Sequence, residues 1–200
     1  NFQVYKCIYN GISPTYPQGR ASTVEPSGTA TSIIESNADG YRWKYMYTIN
    51  ISDYIRFVSS DFMPVRVDST VAAAAVDGAI EQLIIDNRGT GNTANATYYC
   101  PIIGDGTTDA IAKIIINSGG GIDTIESERV GAGYTRAKVI LTEAYTTLSN
   151  ALSRSGSSVS LSGTVSTVIS PPGGHGSNPP MELGGYRVMI NKSLEFLDGD

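Results

Sequence analysis

The sequence predicts a mainly β fold, in which layered antiparallel sheets are accompanied by one or two short helices and a duplicated β-hairpin module. Three observations lead to this prediction. Residues 40–51 alternate with the period of a strand, glycine is abundant at 22 residues, and short β-branched runs recur between turn signals. Charged residues make up only 16% of the chain, which argues against a disordered tail or a coiled coil.

The aromatic segment at residues 40–51 is the predicted centre of a sheet. Its bulkiest side chains share one face of the strand: Trp43, Tyr45, Tyr47, Ile49 and Ile51. The opposite face carries Arg42, Lys44, Met46, Thr48 and Asn50. A helix would mix these two sets, and aromatic and β-branched residues suit a pleated, half-buried surface. One large face is therefore expected to be buried against a partner layer.

Shorter elements surround this strand. Residues 2–9 and 31–35 are predicted strands, with Cys7 among the inward side chains, and residues 15–28 form a surface loop rich in proline and glycine. Residues 51–58 predict a short helix capped by Ser52 or Asp53. The alanine run at residues 68–76 predicts a second helix that ends at Gly78.

An internal repeat with an offset of about 42 residues occupies residues 79–141. Each copy reads as a strand, a Gly-x-Gly turn and a strand, which predicts a duplicated hairpin because glycine supplies the positive φ of a tight turn. The predicted strands are 80–85 and 97–103 in the first copy, 122–128 and 137–141 in the second, and 110–116 between the copies.

The remaining pattern suggests a division into domains. Residues 142–158 are polar and serine-rich, and predict a loop or arm. Alternation returns at residues 159–169, and the residues after a proline- and glycine-rich loop predict closing strands at 186–190 and 193–196. We therefore expect a core β domain of residues 1–67 and 159–200, with 79–141 as an inserted or adjacent module, in a chain truncated at both ends.

Composition argues against several function classes. The net charge of −5 and the pI near 4.9 give no basic footprint for nucleic acid. No apolar run approaches the roughly 20 residues of a membrane span. Cys7 and Cys100 lack metal-ligand spacing, and both are expected to be small buried residues. We predict no catalytic residue, no metal, no cofactor and no small-molecule substrate.

Two motifs have an alternative interpretation as sites. Gly89-Thr-Gly91 follows a strand like a dinucleotide-binding turn, but no helix is predicted after it to face a pyrophosphate. His175 is the only histidine and has no nucleophile elbow in the sequence to serve. Because glycines flank it, a structural or interface role is the prediction for His175.

Two further motifs carry a resemblance to a known family. Val4-Tyr-Lys-Cys7, followed by a proline-containing loop and Asp39-Gly-Tyr-Arg-Trp-Lys-Tyr-Met-Tyr-Thr-Ile49, resembles the core of the baseplate wedge protein of contractile-tail phages, the gene product eight family. Ile169-Ser-Pro-Pro-Gly-Gly-His-Gly176, with Glu182-Leu-Gly-Gly-Tyr-Arg-Val-Met-Ile190, is similar to the cyanophage form of that protein. The resemblance covers residues 1–67 and 165–196 well, and the middle loosely.

The resemblance implies a non-enzymatic structural subunit of the virion, located in the tail baseplate and assembled in the host cytoplasm. Such a subunit would form a homodimer within a wedge, contact other wedge subunits and help to transmit the conformational switch of the baseplate. We expect the contacts in the polar stretch 142–158 and in the loops 13–26 and 171–180. The individual interface candidates are Tyr16, Pro17, Arg20, Pro171, Pro172, His175 and Asn178.

The alternative hypothesis is a carbohydrate-binding or polysaccharide-degrading tail module. Its candidate sugar-stacking residues are Tyr98, Tyr99, Tyr134 and Tyr145. A sugar site needs such rings exposed in a groove beside carboxylates, whereas a wedge subunit would instead bury its tyrosine- and proline-containing loops against other chains.

Overall fold

The computed structural model describes residues 2–12, 16, 18–36 and 38–193, and the chain divides into two compact units. Unit 1 comprises Asn1–Ala74 and Gly176–Asp200, and unit 2 comprises Ala75–His175. The predicted mainly β class is confirmed, with antiparallel sheets and four short helices in the described part of the chain.

Unit 1 is built on a three-stranded antiparallel sheet. Its strands are β1 (Phe2–Asn10), β2 (Ile34–Glu35) and β3 (Tyr41–Ile49), in the order β1-β3-β2. The aromatic strand is thus central, as predicted. However, the neighbours Met46 and Tyr47 are both fully buried, so both faces of β3 are covered rather than one. The core around them includes Ile49, with Val4, Val58, Val65 and Leu183 packed against it.

Three short helices complete unit 1. They are α1 (Ile51–Phe57), α2 (Ser69–Ala73) and, after α3 of unit 2, α4 (Pro179–Glu182). The side chain of Asn50, and not Ser52 or Asp53, caps α1 by accepting from the Asp53 N–H. Asp68 caps α2 in the same way, because an N-terminal turn leaves N–H groups without helical partners.

Unit 2 contains two sheets. β4 (Ile80–Asn87) pairs with β9 (Thr164–Ile169). The second sheet has the order β7-β6-β5-β8 and contains β5 (Thr97–Gly104), β6 (Ala110–Ile116), β7 (Ile122–Arg129) and β8 (Ala137–Val139). Isoleucines from β4, β6 and β7 form the centre of the main core of unit 2. The buried Ala151 of α3 (Leu148–Ser153) lies in a separate, smaller cluster with Ile111 and Tyr145.

The two repeat copies form their predicted strands but do not close hairpins. β4 pairs with β9 and not with β5, while β7 pairs with β6 and β8 pairs with β5. The glycine turns direct the chain toward more distant partners. Gly89, for example, lies so close to the backbone of Ser162 that an added Cβ would be 2.1 Å from the Ser162 carbonyl oxygen.

The domain boundaries differ from the predicted ones after residue 141. β9 pairs with β4, so residues 159–175 fold with the repeat strands instead of with residues 1–67. The stretch 142–158 packs within unit 2, since Tyr145 is buried and forms a backbone bridge with Tyr99. Its apolar residues explain the difference, because they supply enough buried surface to hold the chain.

Two smaller predictions are also corrected. Cys100 is buried as expected, but Cys7 is exposed; β1 has register shifts at Val4/Tyr5 and at Cys7/Tyr9, so side-chain alternation does not run unbroken along it. Residues 186–190 form no strand, and of the stretch 193–196 all but residue 193 lies outside the described residues. In the described part of the chain, no helix has the length and hydropathy needed to span a bilayer.

Candidate protein interaction surface

The stretch Tyr186 to Ile190, here called the exposed segment, follows α4 and presents an uncovered apolar face. Tyr186, Val188 and Ile190 are 85%, 89% and 88% exposed, whereas Met189 is 36% exposed. Alternate side chains of an extended chain point to opposite sides. The exposed segment therefore directs Val188 and Ile190 to solvent and turns Met189 toward the rest of unit 1, while Tyr186 is largely exposed at the edge of a groove.

The backbone of the exposed segment lacks the ladder bonds of a strand. The Tyr186 N–H donates to the Gly184 carbonyl oxygen at 3.0 Å, which closes a tight turn. For residues 187–190, no hydrogen bond to another part of the described chain is present. Beyond them, the side-chain amide of Asn191 donates to the Arg56 carbonyl oxygen at 3.3 Å. An unpaired run of N–H and C=O groups is thus held between two fixed points.

The inner side of the exposed segment lines an apolar groove of about 740 Å³. Arg187 lies over the Phe62 ring at 5.2 Å, which positions its guanidinium group at the groove. Asp61 also contributes to the lining. The other lining residues are mainly apolar and include Phe57, Met63, Pro64, Val65, Pro180, Leu183 and Met189. The groove thus has apolar walls with one cation and one carboxylate.

Glu182 fastens the chain immediately before the exposed segment. One carboxylate oxygen accepts from Lys6 Nζ on β1 at 2.9 Å, and the other accepts from the Gly176 N–H at 2.8 Å. The Glu182 side chain is only 4% exposed, so this ion pair is well shielded on the carboxylate side. Because Leu183 packs on the core of unit 1, the base of the exposed segment is rigidly placed.

Helix α1 presents a second uncovered apolar face. Ile51 and Ile55 are 70% and 76% exposed, and no residue of α1 is buried. The ring of Tyr54 stacks on Phe2 with the ring centroids 3.6 Å apart, which attaches the helix to β1. The sequence pattern predicted this apolar face of α1, and the structure leaves its isoleucines without a covering layer.

Two of the predicted interface residues lie together on unit 1. Tyr16 is exposed, and the Arg20 guanidinium lies 5.2 Å from the centre of its ring. Arg20 also donates to the carbonyl oxygens of Ala38 and Asp39, at 2.8 and 3.0 Å. Pro17 lies outside the described residues. The Arg20 guanidinium is thus held by two backbone carbonyls. This arrangement is consistent with a structural role in the loop as well as with a contact to another subunit.

The buried carboxylate of Asp39 organises the backbone beside these residues. It accepts from the Ser22 hydroxyl at 2.8 Å and from the N–H groups of Thr23 and Tyr41 at 2.9 and 3.2 Å. The nearby Ser36 hydroxyl contributes most to lowering the Asp39 pKa well below its usual 3.8; burial opposes this effect, and the Thr23, Ser22 and Tyr41 donors add to it. The loop is therefore held by a charge that must remain ionised.

The other predicted interface residues are separated by the division into units. Pro172 is exposed and Pro171 is half-buried, both in unit 2, while Asn178 in unit 1 is exposed and caps α4. His175 is buried, and its Nε2 lies 3.2 Å from Glu81 Oε2. In this structure the His175 side chain packs within unit 2 and does not present a contact surface.

The tyrosines proposed for sugar stacking do not form an exposed platform. Tyr98, Tyr134 and Tyr145 are buried, and Tyr99 is half-buried. The Tyr134 hydroxyl accepts from the Ala110 N–H at 3.1 Å and donates to the Ile102 carbonyl oxygen at 3.3 Å. These rings pack inside unit 2. The four tyrosines therefore do not supply the exposed aromatic platform that the carbohydrate hypothesis requires.

Sequence reasoning placed the contacts in loops and missed the exposed segment as a surface. The signal was present, because Tyr186, Val188 and Ile190 alternate with Arg187 and Met189. Among the residues the structure describes, no cluster of three or more His, Cys, Asp or Glu side chains is placed to bind a metal. Comparison with models of known protein families, with curated protein sequences and with solved structures finds no match.

Proposed function

We propose that this chain is a structural subunit of a contractile-tail phage baseplate wedge. It acts as a protein–protein scaffold that pairs with itself, contacts other wedge subunits and transmits the conformational switch of the baseplate. The motif resemblance at residues 4–7, 39–49, 169–176 and 182–190 suggests the assembly, and the exposed apolar residues of unit 1 support a role in binding other proteins.

The observation that carries the proposal is the uncovered apolar surface of unit 1. It comprises Ile51, Ile55, Phe62, Met63, Met181, Tyr186, Val188 and Ile190, each at least 43% exposed. Single exposed apolar side chains are normal, whereas a contiguous apolar patch marks a site of association. Within this set, Phe62, Met63 and Tyr186 line the same groove. Burying one such side chain contributes about 1.5–3 kcal/mol, so a partner that covers several of them gains substantial affinity.

The motif that suggests the family also has a mechanical role in unit 1. Asp39 fixes the loop that carries Arg20, and the residues after it form the central strand β3 with the buried Met46 and Tyr47. Densely packed elements deform little and pass a displacement on as a unit. A rigid core with uncovered apolar faces suits a spacer between other subunits.

The test compares two double variants in assembled tail particles. Ile51→Ser with Ile55→Ser removes the apolar face of α1, where no residue is buried, so the fold is retained. Val130→Ser with Val159→Ser is the matched control, because both valines are exposed apolar residues of unit 2. We expect the α1 variant to be lost from purified particles and the control to be incorporated. Equal incorporation of both variants would show that the apolar face of α1 does not contact other subunits in the particle.

A further inference from the structure

We propose that the exposed segment, Tyr186 to Ile190, becomes a β-strand by pairing with an extended, acidic strand of a different protein. This inference rests on the proposed function and deepens it, because it specifies the chemistry of one partner. Three properties of the exposed segment lead to it: its unpaired backbone, its alternating side chains and its charge.

The backbone of the exposed segment offers hydrogen-bonding groups without intrachain partners. Residues 187–190 make no hydrogen bond within the described chain, while Glu182 and Asn191 fix the chain on either side. An extended backbone with unpaired N–H and C=O groups is a template for another strand, because backbone hydrogen bonds from a partner strand satisfy those groups. A partner helix would leave those groups unsatisfied.

The side chains have the two-sided arrangement of a strand in a sheet. Val188 and Ile190 lie on the solvent side, and Arg187 and Met189 lie at the groove, which the largely exposed Tyr186 also lines. β-branched and aromatic residues at alternate positions are those that pack well in strands. A pairing strand with apolar residues at alternate positions would therefore extend the exposed apolar face.

The charge of the exposed segment selects an acidic strand. Residues 184–193 contain Arg187 and Lys192 and no Asp or Glu, in a chain whose net charge is −5. Asp61 lines the same groove, but no ion pair joins it to Arg187 in the described structure. Opposite charges directly across two strands stabilise the pair, and like charges destabilise it.

The same charge argues against a second copy of the chain as the occupant. A second copy offers no carboxylate from its own residues 184–193 to either cation, and in a parallel pairing its Arg187 would directly face Arg187, where like charges oppose association. An acidic partner strand instead places a carboxylate opposite Arg187 on the groove side and leaves its apolar side chains for Val188 and Ile190. The homodimer contact expected for the subunit would then use another part of unit 1.

The test uses the intact chain and two short synthetic peptides of equal length. In one peptide valine alternates with glutamate, and in the other valine alternates with lysine. Hydrogen exchange of the backbone amides of residues 187–190, read by NMR, reports whether a strand has been added. We expect the glutamate peptide to slow this exchange and the lysine peptide to bind roughly tenfold more weakly.

Backbone substitutions separate strand pairing from simple apolar contact. Val188→Pro and Met189→Pro each remove an N–H group, and successive N–H groups of an extended chain point to opposite sides. At least one of the two variants should therefore fail to bind the glutamate peptide. Val188→Thr keeps the N–H group and should still bind it. Retention by both proline variants would overturn the strand-pairing proposal.

A charge reversal keeps the test decisive if a proline variant is misfolded. Arg187→Glu with Lys192→Glu should invert the preference, so that the lysine peptide binds more tightly than the glutamate peptide. Equal binding of both peptides to the wild-type chain, or binding of neither at millimolar concentration, would overturn the proposal. Protection of residues 187–190 that rises with protein concentration alone would identify a second copy as the occupant and contradict it.

The outcomes also separate this inference from the proposed function. Peptide binding is measured on the isolated chain and does not depend on a tail particle. If the α1 variant is lost from particles but neither peptide binds, the wedge proposal stands and the strand-pairing proposal fails. If the glutamate peptide binds but the chain is absent from tail particles, the exposed segment pairs with an acidic strand in another assembly.

Discussion

The Glu182 carboxylate lies 2.9 Å from Lys6 Nζ, and this contact joins α4 to β1 across 176 residues of sequence. The second oxygen of Glu182 accepts from the Gly176 N–H, so one side chain binds two distant parts of unit 1. The contact lies immediately before the exposed segment. The position of that segment, and of the groove beneath it, therefore depends on Glu182.

Replacing Glu182 should destabilise unit 1 measurably. Glu182→Ala leaves the Gly176 N–H and the Lys6 amine without this acceptor, which we expect to lower the free energy of unfolding by about 1–3 kcal/mol. Glu182→Gln keeps one acceptor oxygen and should cost less. Urea denaturation of the three proteins measures the difference. Equal stability of the wild type and Glu182→Ala would show that the ion pair does not fasten the C-terminal stretch.

Asp39 predicts a pH dependence of unit 1. Its pKa is lowered in the folded state relative to the ordinary 3.8, so the folded chain holds the ionised form more strongly than the unfolded chain does. Its stabilising contribution is fully present above pH 3.8 and is lost as the pH falls through the lower folded pKa. Asp39→Asn should therefore be clearly less stable than the wild type at neutral pH, with a gap that narrows in acid. A constant gap from pH 7 to pH 2, measured by urea denaturation, would contradict this assignment.

The first Gly-x-Gly turn contains a matched pair of glycines. Both have positive φ, at 62° for Gly89 and 79° for Gly91, so alanine is strained at either position. An added Cβ at Gly91 meets no atom within 4 Å, whereas at Gly89 it would lie 2.1 Å from the Ser162 carbonyl oxygen. We expect Gly91→Ala to cost about 1 kcal/mol and Gly89→Ala to prevent stable folding of unit 2. Similar melting temperatures for the two variants would contradict this close packing.

Tyr134 offers a test of the buried polar contacts in unit 2. Tyr134→Phe removes the hydroxyl that bonds the Ala110 N–H and the Ile102 carbonyl oxygen. Leaving these buried groups unsatisfied should cost about 1–3 kcal/mol of unfolding free energy. The control is Tyr186→Phe, which removes a hydroxyl from an exposed ring and should change stability by less than about 0.5 kcal/mol. Thermal or urea unfolding that fails to separate the two variants would place the Tyr134 hydroxyl in solvent.

Local sequence patterns predicted most of the strands and short helices correctly. The alternation at residues 41–49 and the repeated turns at residues 79–141 are short-range signals, and β3 and the strands β4 to β8 form where those signals lie. Pairing partners were less predictable, because β4 and β9 lie far apart in sequence and meet only through tertiary packing. No local pattern distinguishes a glycine turn that closes a hairpin from one that redirects the chain.

The candidate surface was harder to predict than the fold. The exposed segment shows the same alternation as a paired strand, and only the structure reveals that its backbone is unpaired. β1 contains register shifts that its sequence does not predict, and the exposed Cys7 lies between them. The tyrosines predicted to be exposed for sugar stacking gave the opposite error. Tyr134 is buried instead, because its hydroxyl is hydrogen-bonded within unit 2.

The most direct test of the central claim is cross-linking mass spectrometry on intact contractile-tail particles. Lys138 and Lys192 are exposed and suit amine-reactive reagents, whereas Lys44 is buried. As a wedge subunit, this chain should give links from Lys192, beside the exposed segment, to other baseplate proteins and links between two copies of itself. Links confined to a tail fibre, or the absence of any link to a tail protein, would contradict the assignment to a baseplate wedge.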